Sequence, residues 1–252
     1  MAHLSHTDAP LVNVFHDYET MSRAATEQFI SSAKEVFSEP GPFSVALAGG
    51  STPRRLYELL TGPYRGQIQW QRIHLFWGDE RYVPPQDANS NYKMAHNAMV
   101  KHVPIPPDYV HRIPTDGASP EADARAYEAT LRSFFDERGG DHTFDLVILG
   151  LGEDGHTASL FPEHAPFEDD PDGSWVQAVE APPRHTPAQR ITLTPAAINQ
   201  ARDVLFIASG ASKQDALQTV LGNPDAPLPA ARIRPQRNLL WFLDDAAYGR
   251  DT

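Results

Sequence analysis

The sequence predicts an α/β fold in which a doubly wound, mostly parallel sheet lies between two layers of helices. Five short runs rich in β-branched and aromatic residues alternate with five helical patterns, and this alternation is typical of parallel strands joined by crossover helices. The strand runs are nearly continuous in apolar residues, as expected for strands that are covered on both faces. Together these observations indicate a Rossmann-like, three-layer domain with helices on both faces.

The predicted strands are short, with six residues each. They cover residues 43–48, 72–77, 144–149, 203–208 and 238–243. A small additional strand pair is predicted near residues 175–179 and 190–193. Helical patterns occupy residues 18–37, 54–60, 91–100, 120–137 and 213–221. Because no low-complexity or linker-like segment interrupts the alternation of strands and helices, we treat residues 1–252 as a single α/β domain.

Several connections are rich in proline, which accounts for 23 of the 252 residues. The main ones are residues 83–85, 103–114, 161–175 and 181–187. Each is short and flanked by aromatic or aliphatic residues. We therefore expect ordered excursions over the sheet and no disordered linkers.

Composition excludes several classes of function. The net charge of −12 argues against a nucleic-acid partner, since such partners require a basic face. No apolar run approaches the ~20 residues that span a bilayer, and the first ten residues lack the pattern of an export signal. The absence of cysteine excludes disulfides, thiol nucleophiles and thiolate metal sites. We expect a cytoplasmic protein without a membrane contact, whose partner proteins and oligomeric state the sequence does not reveal.

Four glycine-bearing polar segments each begin where a predicted strand ends. They are residues 49–53 (GGSTP), 78–81 (GDER), 150–156 (GLGEDGH) and 209–213 (SGASK). The carboxyl ends of parallel strands lie along one edge of the sheet, and ligands of open α/β proteins bind in the crevice at that edge. The four segments are therefore predicted to converge on one site.

The first and last of these segments have the pattern of a helix start. Gly49 and Gly50 permit a tight turn, Ser51 or Thr52 supplies an N-cap, and a proline follows. A well-formed helix start explains the pattern alone, yet a glycine-lined helix N-terminus also binds phosphate. Lys213 lies near the start of the last predicted helix, the end that disfavours cations, and this placement suggests a nearby anion.

Residues 79–81 (DER) place three charges where a buried strand emerges. A solvated ion pair is the ordinary explanation for such a triplet. Here, however, the charges lie beside a constrained proline loop and not on an open helix face. Arg81 is therefore a candidate for bidentate phosphate binding, and Asp79 is a candidate catalytic carboxylate.

The segment 150–155 matches the spacing G-x-G-x-x-G of dinucleotide-binding proteins. That fingerprint also requires a long helix and an acidic residue ~20 positions further on. Pro162 ends the segment after a turn or two, and residues 163–173 are acidic and broken by proline. The nicotinamide interpretation fails on this context, and we predict no cofactor.

His156 is the strongest candidate for catalysis among the 11 histidines. It follows glycines at a strand end, and Asp154 lies two residues before it. Histidine titrates near neutral pH, which suits a base that takes a proton from water. Asp154 is expected to orient the imidazole, as carboxylates do in catalytic triads.

At these four segments the sequence resembles the 6-phosphogluconolactonase family, which is related in fold to glucosamine-6-phosphate isomerases and deaminases. The motifs ALAGGSTP, WGDERYVP with the following NSNY, LVILGLGEDGHTASLFP and SGASK occur in the order of that family. The resemblance covers most of the chain. It implies hydrolysis of 6-phospho-D-glucono-1,5-lactone to 6-phosphogluconate, the second step of the oxidative pentose phosphate pathway, without metal or cofactor.

The resemblance also implies roles for individual residues. His156 is similar to the general base of the family, and Arg81 and Lys213 are similar to its phosphate ligands. Arg190 is a candidate third cation. Asp79 resembles the carboxylate that the deaminases use as a base. For the hydrolysis we expect the histidine to activate water and return the proton to the ring oxygen, with backbone N–H groups of the glycine turns stabilising the oxyanion.

Two other functions stay open at this point. A sugar-phosphate isomerase or deaminase shares the fold, but the resembling deaminases carry an acidic residue five positions after the histidine, where this sequence has Phe161. A binding-only regulator on this fold would carry a DNA-binding extension, for which residues 1–11 are too short. A metal enzyme is disfavoured because the sequence has no H-x-x-x-H pair, and the nearest candidate cluster is His156 with Asp154 and Asp79.

Overall fold

The computed structural model describes residues 9–139, 143–164 and 173–250. Nine strands are present in this part of the chain: β1 Leu11–Phe15, β2 Phe43–Leu47, β3 Ile73–Trp77, β4 Asp79–Arg81, β5 Leu146–Gly150, β6 Val176–Glu180, β7 Gln189–Leu193, β8 Asp203–Ala208 and β9 Asn238–Asp244. Six of them form one parallel sheet in the order β1-β9-β8-β5-β2-β3. The predicted α/β class with a parallel central sheet is confirmed.

Seven α-helices accompany these strands in the described ranges. They are α1 Tyr18–Val36, α2 Thr52–Thr61, α3 Asn91–Ala98, α4 Pro120–Arg138, α5 Pro195–Asn199, α6 Gln214–Gly222 and α7 Asp245–Tyr248. The five predicted helices correspond to α1, α2, α3, α4 and α6. Their starts follow from local chemistry: the Asp17 carboxylate accepts a hydrogen bond from the Thr20 N–H at 2.7 Å and caps α1, and Ser119 caps α4 in the same way.

The core lies on both faces of the parallel sheet. Every residue of β2 and of β8 is buried, as their continuous apolar runs predicted. Phe206 of β8 stacks on Trp241 of β9 with ring centroids 3.9 Å apart. In the described chain, no helix combines the length and the apolar character that a membrane span requires.

A second, antiparallel sheet extends the predicted strand pair by one strand. Its order is β4-β7-β6, so residues 79–81, expected to follow a strand, themselves form a strand. The chain passes between the two sheets at Gly78, whose N–H donates to the Leu47 carbonyl at 3.0 Å and whose carbonyl accepts from the Leu193 N–H at 2.8 Å. The small sheet is thereby fixed at the carboxyl edge of the large one.

Other differences from the sequence prediction are small. β1 and the short helices α5 and α7 were not predicted. Lys213 lies in a 3₁₀ turn directly before α6 and not within the helix. The first eight residues and residues 165–172 of the predicted 161–175 connection lie outside the described residues.

Candidate active site

The four glycine-bearing segments converge at the carboxyl edge of the parallel sheet, as predicted. They enclose a cavity of about 300 Å³, at the lower end of the ~300–1,000 Å³ typical of small-molecule sites. Its lining includes most of the predicted site residues: Gly49, Gly50, Ser51, Thr52, Asp79, Arg81, His156, Arg190 and Lys213. Asp154 lies beside His156 and lines an adjoining cleft with it.

A glycine turn after β5 brings His156 and Asp154 together. The Gly152 N–H donates to the His156 carbonyl at 2.8 Å and closes the turn. A Cβ atom on Gly152 would lie 2.0 Å from the His156 Nδ1 atom, so only glycine fits there. The Asp154 Oδ1 atom then lies 2.6 Å from His156 Nδ1 and 3.1 Å from its backbone nitrogen.

Protonation of this pair follows from its surroundings. Burial opposes ionisation of Asp154, yet the Arg184 hydrogen bond and the His156 interactions hold its pKa below its ordinary value. An ionised carboxylate only accepts hydrogen bonds, so the Nδ1 atom of His156 carries the proton. Burial lowers the pKa of His156, and Asp154 opposes this shift only in part. The imidazole is therefore neutral near pH 7, and its Nε2 atom has no hydrogen-bond partner among the described residues.

Asp79 is a buried carboxylate in the lining of the same cavity. The residue is only 7% exposed, and its Oδ2 atom accepts a hydrogen bond from the Ser159 hydroxyl at 2.6 Å. The Asn91 side-chain amide donates to Oδ1 at 3.1 Å and to the Asp79 carbonyl at 2.9 Å. Neutral donors thus hold Asp79 in place. The carboxylate that binds His156 is a different one, that of Asp154.

Glu80 has a structural role that explains the NSNY motif. Its carboxylate accepts hydrogen bonds from the backbone N–H groups of Arg81, Asn91 and Tyr92 and from the Ser90 hydroxyl, at 2.7 to 3.0 Å. Burial raises the pKa of Glu80, and the backbone hydrogen bonds oppose that shift. Glu80 therefore ties β4 to the start of α3, and of the DER triplet only Asp79 and Arg81 line the cavity.

Two arginines face each other across the small sheet. Arg81 of β4 is the register partner of Arg190 of β7, and Arg190 is only 6% exposed. Burial lowers the pKa of Arg190, and the charge of Arg81 lowers it further. No described carboxylate forms an ion pair with either guanidinium, and the Arg81 Nε atom is buried without a hydrogen-bond partner. Like charges across a strand pair are destabilising, so this pair is suited to an anion bound between them.

The glycine turn before α2 also has free donors. Gly50 has φ of +89°, and a Cβ atom on Gly49 would lie 1.9 Å from the Asn91 Oδ1 atom. The expected N-cap hydrogen bond is absent, since the Ser51 side chain accepts none from the described helix start. The N–H groups of Gly49, Gly50 and Ser51 donate to no described residue. This turn therefore presents unused donors at the positive end of α2.

Lys213 contributes a third cation from the end of β8. Its Nζ atom lies 4.0 Å from the Oε1 atom of Glu153, a carboxylate that is 69% exposed. An exposed pair at that distance contributes little. The lysine is thus available to an anion in the cavity that it lines with His156.

Sequence reasoning missed two residues that contact Asp154. The Arg184 Nη2 atom lies 2.5 Å from Asp154 Oδ2, and the His185 Nε2 atom lies 3.1 Å from the same oxygen. Both belong to the proline-rich connection 181–187, about 30 residues further along the chain, where no local motif marks them. Only the folded path of that connection brings them to the site.

Ligand atoms of Asp154, His156 and His185 lie within 4.8 Å of one another. The sequence had indicated Asp79 as the third member of such a cluster; its place is taken by His185. A divalent cation there would face the Arg184 guanidinium, which already binds Asp154 Oδ2, and would need to displace it. These residues fit a hydrogen-bonded base better than a metal centre.

Comparison with known proteins identifies the family of the chain. The family model described as glucosamine-6-phosphate isomerases/6-phosphogluconolactonase matches residues 16–241. A 6-phosphogluconolactonase of Synechocystis is 41% identical over 243 residues, which cover 95% of this chain and 97% of that protein. The structure of 6-phosphogluconolactonase from Trypanosoma brucei superposes with a TM-score of 0.83 at 33% identity, covering 95% of this chain and 98% of the other.

A monomeric glucosamine-6-phosphate deaminase has a similar structure. It superposes with a TM-score of 0.81 over 95% of this chain and 99% of its own, at 22% identity. At that identity the likeness establishes the fold alone. From the family match and the relative at 41% identity, the chain belongs to the family of glucosamine-6-phosphate isomerases and 6-phosphogluconolactonases.

Proposed function

We propose that this chain hydrolyses 6-phospho-D-glucono-1,5-lactone to 6-phospho-D-gluconate, the second step of the oxidative pentose phosphate pathway. The observation that carries the proposal is geometric: the Asp154 carboxylate binds Nδ1 of His156 and leaves Nε2 free, in a cavity lined by three cations. A base and three cations that line one cavity suit a phosphorylated ester. The names of the similar proteins from Synechocystis and Trypanosoma brucei support the same reaction.

His156 is assigned the proton transfers of this reaction. Its Nε2 atom takes a proton from water as the water oxygen attacks the lactone carbonyl, which forms a tetrahedral oxyanion. When the oxyanion collapses, the bond to the ring oxygen breaks, and the imidazolium returns its proton to that oxygen. The product carboxylic acid then loses its proton to solvent. No covalent intermediate forms, and one imidazole serves both steps.

Asp154 is assigned the orientation of the base. Its Oδ1 atom accepts the Nδ1 proton at 2.6 Å, which fixes the tautomer with Nε2 unprotonated. When Nε2 gains a proton, the same carboxylate stabilises the imidazolium. Asp79 is assigned a role in holding the substrate, since its buried carboxylate lines the same cavity as His156.

Anionic oxygen atoms of the substrate are assigned to the glycine turn before α2 and to the cations. The N–H groups of Gly152 and Gly155 donate within their own turn, and that of Gly210 donates to Asp244. Free donors therefore remain in the turn of Gly49 and Gly50. Together with the positive charges of Arg81, Arg190 and Lys213, these donors can bind a phosphate, although the net charge of the protein is −12 and repels anions.

The direct test of this proposal is disappearance of freshly made 6-phosphogluconolactone above its spontaneous hydrolysis rate. We expect saturable hydrolysis with the purified chain. The rate should not change after exhaustive chelation, because the proton transfers are assigned to His156. Activity that falls on chelation and returns with a divalent ion would contradict the metal-free mechanism.

Substitution of the cavity cations Lys213 and Arg81 should chiefly weaken substrate capture. We expect Lys213→Ala and Arg81→Ala each to lower kcat/KM for the phosphorylated lactone by about 10- to 100-fold, since a hydrogen bond to a charged group contributes about 1.5–3 kcal/mol. Part of the loss should appear in kcat, because remote binding energy positions the reacting carbon. Unphosphorylated gluconolactone is the control substrate. If both variants prefer the phosphorylated lactone as strongly as the wild type, the phosphate binds elsewhere.

The pH profile should show a base that works at unusually low pH. Burial places the pKa of His156 below its ordinary 6.5, so the imidazole stays unprotonated, and active, down to a lower pH than an exposed histidine would. We expect the acid limb of kcat/KM to lie below pH 6.5 and the rate to fall tenfold per pH unit beneath it. A midpoint clearly above pH 6.5 would contradict this assignment of the base.

We also propose a cytoplasmic location without a nucleic-acid or membrane partner. The support comes from the sequence: the net charge is −12 and cysteine is absent. We propose a small sugar-phosphate lactone as the ligand of the cavity.

A further inference from the structure

The carboxylate of Asp154 is held by a loop outside the four glycine-bearing segments. His156 occupies Oδ1, and residues of the 181–187 loop occupy Oδ2: the Arg184 Nη2 atom at 2.5 Å and the His185 Nε2 atom at 3.1 Å. Since Asp154 is ionised, all of these nitrogens donate to it. The carboxylate therefore has donors on both oxygens and cannot rotate without breaking at least one hydrogen bond.

Arg184 joins three segments of the chain through one guanidinium. Its Nη1 atom lies 2.6 Å from the Oε1 atom of Glu163, and its Nη2 atom binds Asp154. The Asp154 side chain is 21% exposed, whereas Glu163 is 47% exposed. Arg184 is itself 48% exposed and exposed ion pairs contribute little to stability, so the contact with Asp154 matters for the position of that carboxylate.

His185 packs directly against the base. Its ring lies edge-on to the His156 ring with centroids 4.8 Å apart, and it also contacts the ring of Phe161 at 4.9 Å. Its Nε2–H group points at Asp154 Oδ2 by the same tautomer argument as for His156. The side chain is 23% exposed, so this packing is mostly shielded from water.

We propose that Arg184 and His185 are positioning residues for the general base: they fix Oδ2 of Asp154 so that Oδ1 stays on Nδ1 of His156. This inference rests on the proposed function, in which His156 activates water. Loss of either donor leaves Oδ2 with a single hydrogen bond, so the carboxylate is held less firmly and Nε2 of His156 spends less time in the reactive orientation. A misplaced base lowers kcat more than it weakens substrate binding.

Arg184 also acts on His156 through the carboxylate that both of them bind. The charged or titratable groups around this imidazole are Asp79, Arg81, Glu153, Asp154, Glu163, Arg184, His185, Arg190 and Lys213. Arg184 compensates the negative charge of Asp154. Without it, the carboxylate stabilises the imidazolium more strongly, and the pKa of His156 rises. The acid limb of the activity profile must then move to higher pH.

The first test compares Arg184→Gln with Glu163→Gln, which removes only the outer partner. For Arg184→Gln we expect kcat to fall by roughly 3- to 10-fold, with KM little changed, as for one lost hydrogen bond. The acid limb should rise by roughly 0.5–1 pH unit. Glu163→Gln should match the wild type in both kcat and the acid limb of the pH profile. Arg184→Lys should restore the pH of the acid limb but only part of kcat, since lysine keeps the positive charge but lacks the planar guanidinium with its several donors.

The second test compares His185→Gln with His185→Leu. Glutamine places an Nε2 donor at a reach similar to that of the imidazole, whereas leucine fills the space without a donor. We expect His185→Gln to retain most of kcat and His185→Leu to lose roughly 3- to 10-fold. Equal rates for the two variants would show that the hydrogen bond to Asp154 has no role.

A measurement without substrate separates this inference from the proposed function. NMR titration of labelled histidine gives the pKa of His156 in the wild type and in Arg184→Gln, and thermal melting confirms that each variant folds. An upward shift in Arg184→Gln, absent in Glu163→Gln, supports the inference even if the wild type fails to open the lactone. An unchanged pKa together with an unchanged kcat in folded Arg184→Gln overturns it while leaving the hydrolysis intact.

Discussion

His156→Ala is expected to lower kcat for lactone hydrolysis by about 10²–10⁴-fold, the usual contribution of general acid–base catalysis. The variant loses the group that takes the proton from water and returns it to the ring oxygen. KM should change little, because the phosphate is bound by the cations and the glycine turn. Folding should survive, since the His156 side chain is 24% exposed in a turn and lies outside the sheet core.

Two further variants make this expectation specific. Asp154→Asn should also lower kcat, because an amide can donate to Nδ1 and leave the proton on Nε2, the wrong tautomer. His164→Ala removes an exposed histidine whose ring lies against Phe161 at 5.7 Å and should behave as wild type. Activities are compared after a thermal melt of each protein. Near-wild-type turnover in folded His156→Ala would reject His156 as the base.

The strands that the sequence predicted are those with continuous apolar runs, such as β2 and β8. β1 was missed because it is an edge strand whose residues are mostly exposed, with Leu11 47% accessible. Its sequence therefore lacks the continuous buried apolar run that marks the other strands of the sheet. β4 was missed for a different reason. Its three residues are all charged, and pairing with β7 and the hydrogen bonds to Glu80 give it a strand conformation that local propensity opposes.

The site was predictable to the extent that it is local. His156, Asp154 and the turn that joins them lie within a few residues, so the motif alone predicted the contact between the imidazole and the carboxylate. Arg184 and His185 contact the same carboxylate from 30 and 31 residues away. Ser159 binds Asp79 across 80 residues. Contacts of this kind depend on loop paths over the sheet, which no periodicity or turn pattern encodes.

The relation to deaminases turns on one residue beside the base. Phe161 is 1% exposed, and its ring lies 5.0 Å from that of His156. In the resembling deaminases an acidic residue occupies this position. A deaminase must move protons between sugar carbons and expel ammonia, which requires a second acid that works with the histidine. A buried apolar ring can neither hold nor pass a proton.

Hydrolysis of a lactone has no such requirement, because one imidazole carries the proton in both directions. We therefore expect no ammonia release from glucosamine 6-phosphate above the enzyme-free blank, under conditions where the same preparation opens 6-phosphogluconolactone rapidly. A coupled ammonia assay, with added ammonia as the positive control, measures the first rate, and loss of lactone measures the second. The two enzyme types share a similar fold, so the fold does not distinguish the two activities. The apolar ring of Phe161, in place of an acidic side chain, favours hydrolysis. Rapid ammonia release without lactone opening would show that His156 serves isomerase chemistry and that another group supplies the second acid.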